Sequence, residues 1–104
     1  HEHTGDVGTM MFREARPLDI SRVERALAAL LDMYAPDLMR YKGVLSIAGK
    51  DHRLIFQGVH LMLGSSPGRP WLPGEARESV MVFIGRRLNR AVIESTLSRC
   101  AAGD

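Results

Sequence analysis

Three groupings in this 104-residue chain have residue types and spacing that invite chemistry. His1-Glu2-His3 sets two imidazoles either side of a carboxylate. Neutral imidazole nitrogens suit zinc, nickel or cobalt. Two or three ligands on a polar tail make an incomplete shell, so upstream residues or a partner would have to complete it. Gly43 to Lys50, GVLSIAGK, has the outline of a phosphate-binding loop. Its spacing is wrong for that role: five residues separate the glycines, and Asp51 stands where Ser or Thr should hold magnesium. The segment also reads as strand and turn, with no helix N-terminus behind it to bind phosphate. The third grouping is Cys100 alone, on the apolar stripe of a helix, where it reads as a small buried hydrophobe.

No nucleophile constellation stands out. Ser46, Ser65 and Ser66 have no local base, and Glu14, Asp37 and Glu75 are dispersed. His52 reads as a turn residue and His60 as a half-buried strand histidine. The chain is therefore expected to lack catalytic and cofactor-binding residues, with His1 and His3 the candidate metal ligands.

The elements that must position these residues are punctuated clearly at both helices. Asp19 is an N-cap, and Leu18 before it can staple onto Val23. Val23, Ala26, Leu27, Leu30, Leu31 and Tyr34 then form an amphipathic stripe that Pro36 ends. Asn89 caps a second helix, with Leu88 and Ile93 as its staple and Ile93, Leu97, Cys100 and Ala101 as its stripe. Arg40 to Leu63 reads as two strands about the turn Ala48 to His52, with a bulge expected at Gly58 in the long second arm. Thr9 to Arg13 and Ser79 to Gly85 read as further strands. Gly64 to Glu78, with three prolines and three glycines, reads as a loop anchored by Trp71.

The first and last strand–helix units match at a constant offset, which aligns Met10, Phe12, Leu18, Asp19, Val23 and Leu27 with Val80, Val82, Leu88, Asn89, Ile93 and Leu97. Equivalent caps put both helices on one side of one sheet. The expected fold is α+β: a two-layer α/β sandwich in β-α-β-β-β-α order, with four to five strands and two helices on one face. Met11, Met81 and Phe83 are expected to alternate onto the other face, where a partner domain or a second copy could bury them. Residues 1–8 read as the end of a flexible His-containing linker and residues 9–104 as one domain.

Composition sets the outer bounds. A net charge of +2, with scattered Arg and Lys, points to no nucleic-acid or membrane partner. One cysteine excludes an internal disulfide and suits a reducing compartment, the cytoplasm. The chain opens on His1 rather than Met, so a piece of a longer protein is expected.

Five blocks in order carry a resemblance: Phe12 with Arg16-Pro17-Leu18-Asp19; Leu38-Met39-Arg40-Tyr41-Lys42-Gly43; Phe56-Gln57-Gly58-Val59-His60; Gly68-Arg69-Pro70-Trp71; and Glu78-Ser79 with Val82-Phe83-Ile84-Gly85. Over residues 9–100 the chain resembles the C-terminal domain of the CobW-like metal-trafficking GTPases, which includes the zinc-responsive metallochaperones and members linked to cobalamin biosynthesis. The resemblance implies an N-terminal P-loop GTPase domain that binds GTP and magnesium, a Cys-x-Cys-Cys metal motif within it, and a His-rich linker of which His1 and His3 would be the end. It further implies a C-terminal domain that contacts a client metalloprotein and docks on the GTPase domain. This chain has no Walker A loop and no Cys-x-Cys-Cys. It is expected to be non-catalytic and to hold no cofactor of its own, with zinc, cobalt or another metal as the metal handled. Two rival readings are a transition-metal module using His1 and His3, with His60 as an optional third ligand, and a small-molecule domain with a pocket under the Gly64–Glu78 loop near Trp71.

Overall fold

The computed structural model describes residues 6–103. In chain order the elements are β1 (Val7–Glu14), α1 (Ile20–Tyr34), β2 (Leu38–Leu45), β3 (His52–Val59), β4 (Met62–Pro70), β5 (Ser79–Arg86) and α2 (Arg90–Ser98). The strands form one antiparallel sheet in the order β1-β5-β2-β3-β4. The α+β two-layer class and the five-strand sheet agree with expectation.

Each helix starts where its cap residue dictates. The Asp19 carboxylate accepts from the Arg22 N–H at 3.0 Å, and Asn89 Oδ1 from the Val92 N–H at 3.1 Å. Val23, Leu27 and Leu30 of α1 and Ile93 and Leu97 of α2 are buried. They meet Met10, Phe12, Tyr41, Phe56, Met81 and Phe83 in one core. Cross-strand pairing places all six of these strand residues on one side of the sheet, because directly opposed residues share a face. Both helices therefore cover that side and leave the other open.

Leu18 is the junction of the fold. It is fully buried and bridges both Ile47 and Ala101. Its N–H donates to Ser46 O and its carbonyl accepts from Ala48 N–H, each at 2.9 Å. The adjoining Asp19 N–H donates to Cys100 O at 2.8 Å, and Ala102 N–H to Pro17 O at 2.9 Å. The entry to α1, the exit from β2 and the segment after α2 are thus tied at one point.

Four details correct the sequence reading. First, there is an extra strand. The second arm of the hairpin reverses at His60-Leu61, and β4 takes in much of what reads as a loop, Gly64 to Pro70. It is an edge strand, where Pro67 and Pro70 are tolerated because one row of N–H groups has no ladder partner. Second, Gly58 is not a bulge. Pairing runs unbroken from Leu45/Leu54 to Arg40/Val59, and the Tyr41 ring lies where a Gly58 side chain would be. The irregularities fall at Leu38/Arg40 and His52/Leu54.

Third, the strand half of the internal match is one residue out. Met10 pairs with Phe83 and Phe12 with Met81, so Met81 and Phe83 point into the core and are 0% and 1% exposed. Met11 does lie on the open face, with Val80, Val82 and Ile84. The helix half of the match holds: Leu18/Leu88, Asp19/Asn89 and Val23/Ile93 are equivalent. Fourth, His52 opens β3, whereas His60 sits in the exposed turn with φ 51°.

Candidate functional site

The residues singled out for chemistry are not brought together. His1 and His3 lie outside the described residues. Among the described residues no three His, Cys, Asp or Glu side chains converge on a point that could hold a metal. His52 Nδ1 lies 3.1 Å from Arg53 O, and His60 is exposed at the other end of β3. Gly43 to Lys50 is the end of β2 and a turn with no helix behind it, as expected. Cys100 is buried just past α2; its Sγ donates to Thr96 O at 3.5 Å, and burial pushes the thiol pKa up. An unactivated, inaccessible thiol is a poor nucleophile.

The stretch after β4 is held by Glu75, which reads in sequence as an isolated acid. Its carboxylate accepts from Arg69 at 2.7 and 3.0 Å and from the Leu72 N–H at 2.7 Å. The Arg69 guanidinium and that N–H hold the Glu75 pKa down to about 2. Trp71 anchors the stretch through its N–H to Asp51 O at 2.9 Å. Its indole Nε1 is buried without a partner. The broad concavity of the described residues lies elsewhere, which lends the small-molecule reading no support at the place it was expected.

That concavity, about 1040 Å³, lies at the β3–β4 turn end of the sheet and is lined by Arg40, Lys42, Gln57, Val59, Met62 and Ile84 among others. These six lie on the helix-free face. Two rows cross the sheet there: Thr9, Ile84, Arg40, Val59 and Met62, then Met11, Val82, Lys42, Gln57 and Gly64. The bulge between Leu38 and Arg40 matters here, because it turns Arg40 onto this face while Leu38 stays in the core. The turn end is fixed by Tyr41, whose hydroxyl donates to His60 O at 2.8 Å, and by the His60 N–H to Met39 O at 3.0 Å. Val59, Leu61 and Met62 are 47%, 64% and 81% exposed, unusual for adjacent large apolar residues in a small domain. The arrangement can bind through apolar contact and positive charge; it holds no group set to move a proton or attack a bond. Its signal in the sequence was the run Val59 to Leu63, too apolar for the hairpin end it forms.

The family model described as "Cobalamin synthesis protein cobW C-terminal domain" matches residues 7–101. A protein named zinc chaperone YjiA, from Escherichia coli, is 39% identical over 93 residues, covering 89% of this chain and 29% of that protein. Zinc chaperone CobW from Pseudomonas aeruginosa is 36% identical over 90 residues, covering 82% and 24%. The crystal structure of the Zn(II)-bound YjiA GTPase from E. coli superposes with a TM-score of 0.87 at 38% identity, covering 91% of this chain and 30% of that one. A Zn(II)-bound triple mutant of YjiA gives 0.88. The chain spans between 24% and 30% of the length of these relatives. Matched over nearly all of its described length, it belongs to the family of cobalamin synthesis protein cobW C-terminal domains.

Proposed function

We propose that this chain is the non-catalytic interaction domain of a GTP-dependent metallochaperone. Its contacts are with a client metalloprotein, with the GTPase portion of the same protein, or with both in turn. One observation carries the reading: a sheet whose second face is left uncovered, aliphatic and cationic. The names of the relatives, zinc chaperones and a GTPase, support zinc as the metal in the pathway. GTP and magnesium would belong to the other portion. The lone, buried Cys100 fits a cytoplasmic setting for that work.

Isothermal titration of this chain against the separately expressed GTPase portion of the longer protein tests the proposal, alongside a GTP hydrolysis assay of the chain alone. Saturable binding with no turnover is the expected pair of results. Turnover by the chain alone ends the non-catalytic reading. Absence of binding to the GTPase portion, with no client captured by pull-down and identified either, ends the interaction reading.

His1 and His3 belong to the same proposal as the end of a metal-loading linker. The alternating imidazoles and the zinc-named relatives favour it. Zinc titration of the chain with and without residues 1–8 decides the matter. Affinity no tighter than about millimolar, roughly −4 kcal/mol, removes them as ligands.

A further inference from the structure

The helix-free face has a charge character that the net charge of the chain conceals. Arg13, Arg40, Lys42, Arg53 and Arg86 project from it between aliphatic residues, and no strand contributes an Asp or Glu to it. Three acids are engaged away from it, Glu14 with Arg16, Asp37 with Arg87 and Glu75 with Arg69, while Glu78, just before β5, pairs with Arg13 at 3.2 Å. Arg40 and Lys42 are exposed and, among the described residues, have no ion-pair partner. They sit two apart on β2, so their side chains rise from Cα atoms roughly 6.6 Å apart on one face. Val44 continues the same line. Ile84 and Val82 flank it on β5, and Val59 and Gln57 on β3.

We propose that this face docks a protein segment bearing two carboxylates at alternate positions followed by an aliphatic residue, the complement of Arg40, Lys42 and Val44. The inference rests on the interaction reading above and names the chemistry of its partner. Three features choose the occupant. Uncompensated cations in a partly apolar concavity favour carboxylates, because fields strengthen where water is displaced. Aliphatic flanks give such a segment area to bury and give a nucleic acid nothing to stack on. The aromatic residues of the strands, Phe12, Tyr41, Phe56 and Phe83, all face the helices. A second copy would set Arg40 and Lys42 against their own counterparts across a two-fold axis, like charge on like charge.

The test is an NMR titration of the 104-residue chain with a synthetic peptide of repeated Glu-x-Glu-x-Leu pattern. Its Lys-for-Glu counterpart and a short DNA duplex serve as competing probes. Expected are shifts confined to amides of β2, β3 and β5 around Arg40, Lys42, Val59 and Ile84, for the acidic peptide alone, weakening as salt rises. The Arg40→Glu, Lys42→Glu double variant is surface-only and should keep the fold, shown by an otherwise unchanged spectrum. It should lose at least tenfold in affinity for the acidic peptide and gain affinity for the basic one. No shifts, shifts on the helix side, equal response to the basic peptide, tighter binding of DNA, or a dimer that buries Val59 and Met62 would each overturn the proposal. The two readings fail separately. If the GTPase portion or a client binds and the double variant binds it equally well, the domain is an interaction module whose site is not this face.

Discussion

Replacing Gly58 by alanine should destabilise the domain, although alanine is usually the easier residue to order. The added Cβ falls on the Tyr41 ring, against its Cε2, Cζ and hydroxyl. The ring has little freedom to yield. It packs against Phe56 and Phe83, with centroids 6.4 and 6.5 Å away, and its hydroxyl is bound to His60 O at 2.8 Å. Overpacking of this kind costs about 1–3 kcal/mol. Restricting the unfolded chain offsets about 0.4–1 kcal/mol. The net loss is then roughly 1–2 kcal/mol, which moves a urea midpoint down by about half to one molar at the slopes usual for small proteins. The cause is identified by a double-mutant cycle. In a Tyr41→Phe background the ring remains, and the penalty should stay near its full value. In a Tyr41→Leu background the space is free, and Gly58→Ala should be close to neutral. Equal cost in all three backgrounds would refute the account and assign Gly58 to backbone conformation instead.

Three further outcomes follow from single contacts. Ser79→Ala removes the buried Oγ that accepts from the Ser46 N–H at 2.9 Å; a stranded buried N–H costs about 1–3 kcal/mol, so the melting temperature should fall by at least about 4 °C in calorimetry. The Glu75 pKa is depressed in the fold, so its contribution is complete above its ordinary value near 4.5 and is lost as pH falls through about 2; Trp71 emission should report that step in acid, Glu75→Gln should abolish it, and a midpoint in the ordinary carboxylate range would contradict the Arg69 pairing. Cys100 should react with a disulfide reagent at neutral pH only at the rate of local opening, and rapid reaction of the native chain would show that the thiol is not sealed as its burial and raised pKa require.

What could be read from sequence was whatever local chemistry decides. Asp19 and Asn89 satisfy N–H groups three residues on, so their helices are legible at the N-terminus without knowledge of the rest. The β2–β3 turn announced itself through Gly49, which takes φ 82°. The β3–β4 turn did not, because His60 and Leu61 carry no turn signature and His60 accepts positive φ only where Tyr41 and Met39 hold its backbone. Gly58 drew attention to the wrong residue, for a reason that lies across the sheet in Tyr41. The faces of β5 were illegible for a simpler reason. Val80, Met81, Val82, Phe83 and Ile84 are all apolar, and a run without alternation does not say which side is inside. The helix stripes facing Met81 and Phe83 decide it. The helix-free face was half legible: a second apolar side was evident, but not its cations, since Arg40 reaches it only through a bulge.

The knot at Leu18 bears on how the molecule is made. Residues near the start of the chain and residues at its close share one set of backbone bonds, with Ser46 and Ala48 between them. During synthesis the first helix can form and the first hairpin can pair, but the bonds from Asp19 to Cys100 and from Ala102 to Pro17 must wait until those later residues have left the ribosome. Contacts of such long sequence separation slow closure and leave aliphatic strand surface open in the meantime. A nascent module of this design waits for its final residues, and chaperones would meet it as an unfinished sheet.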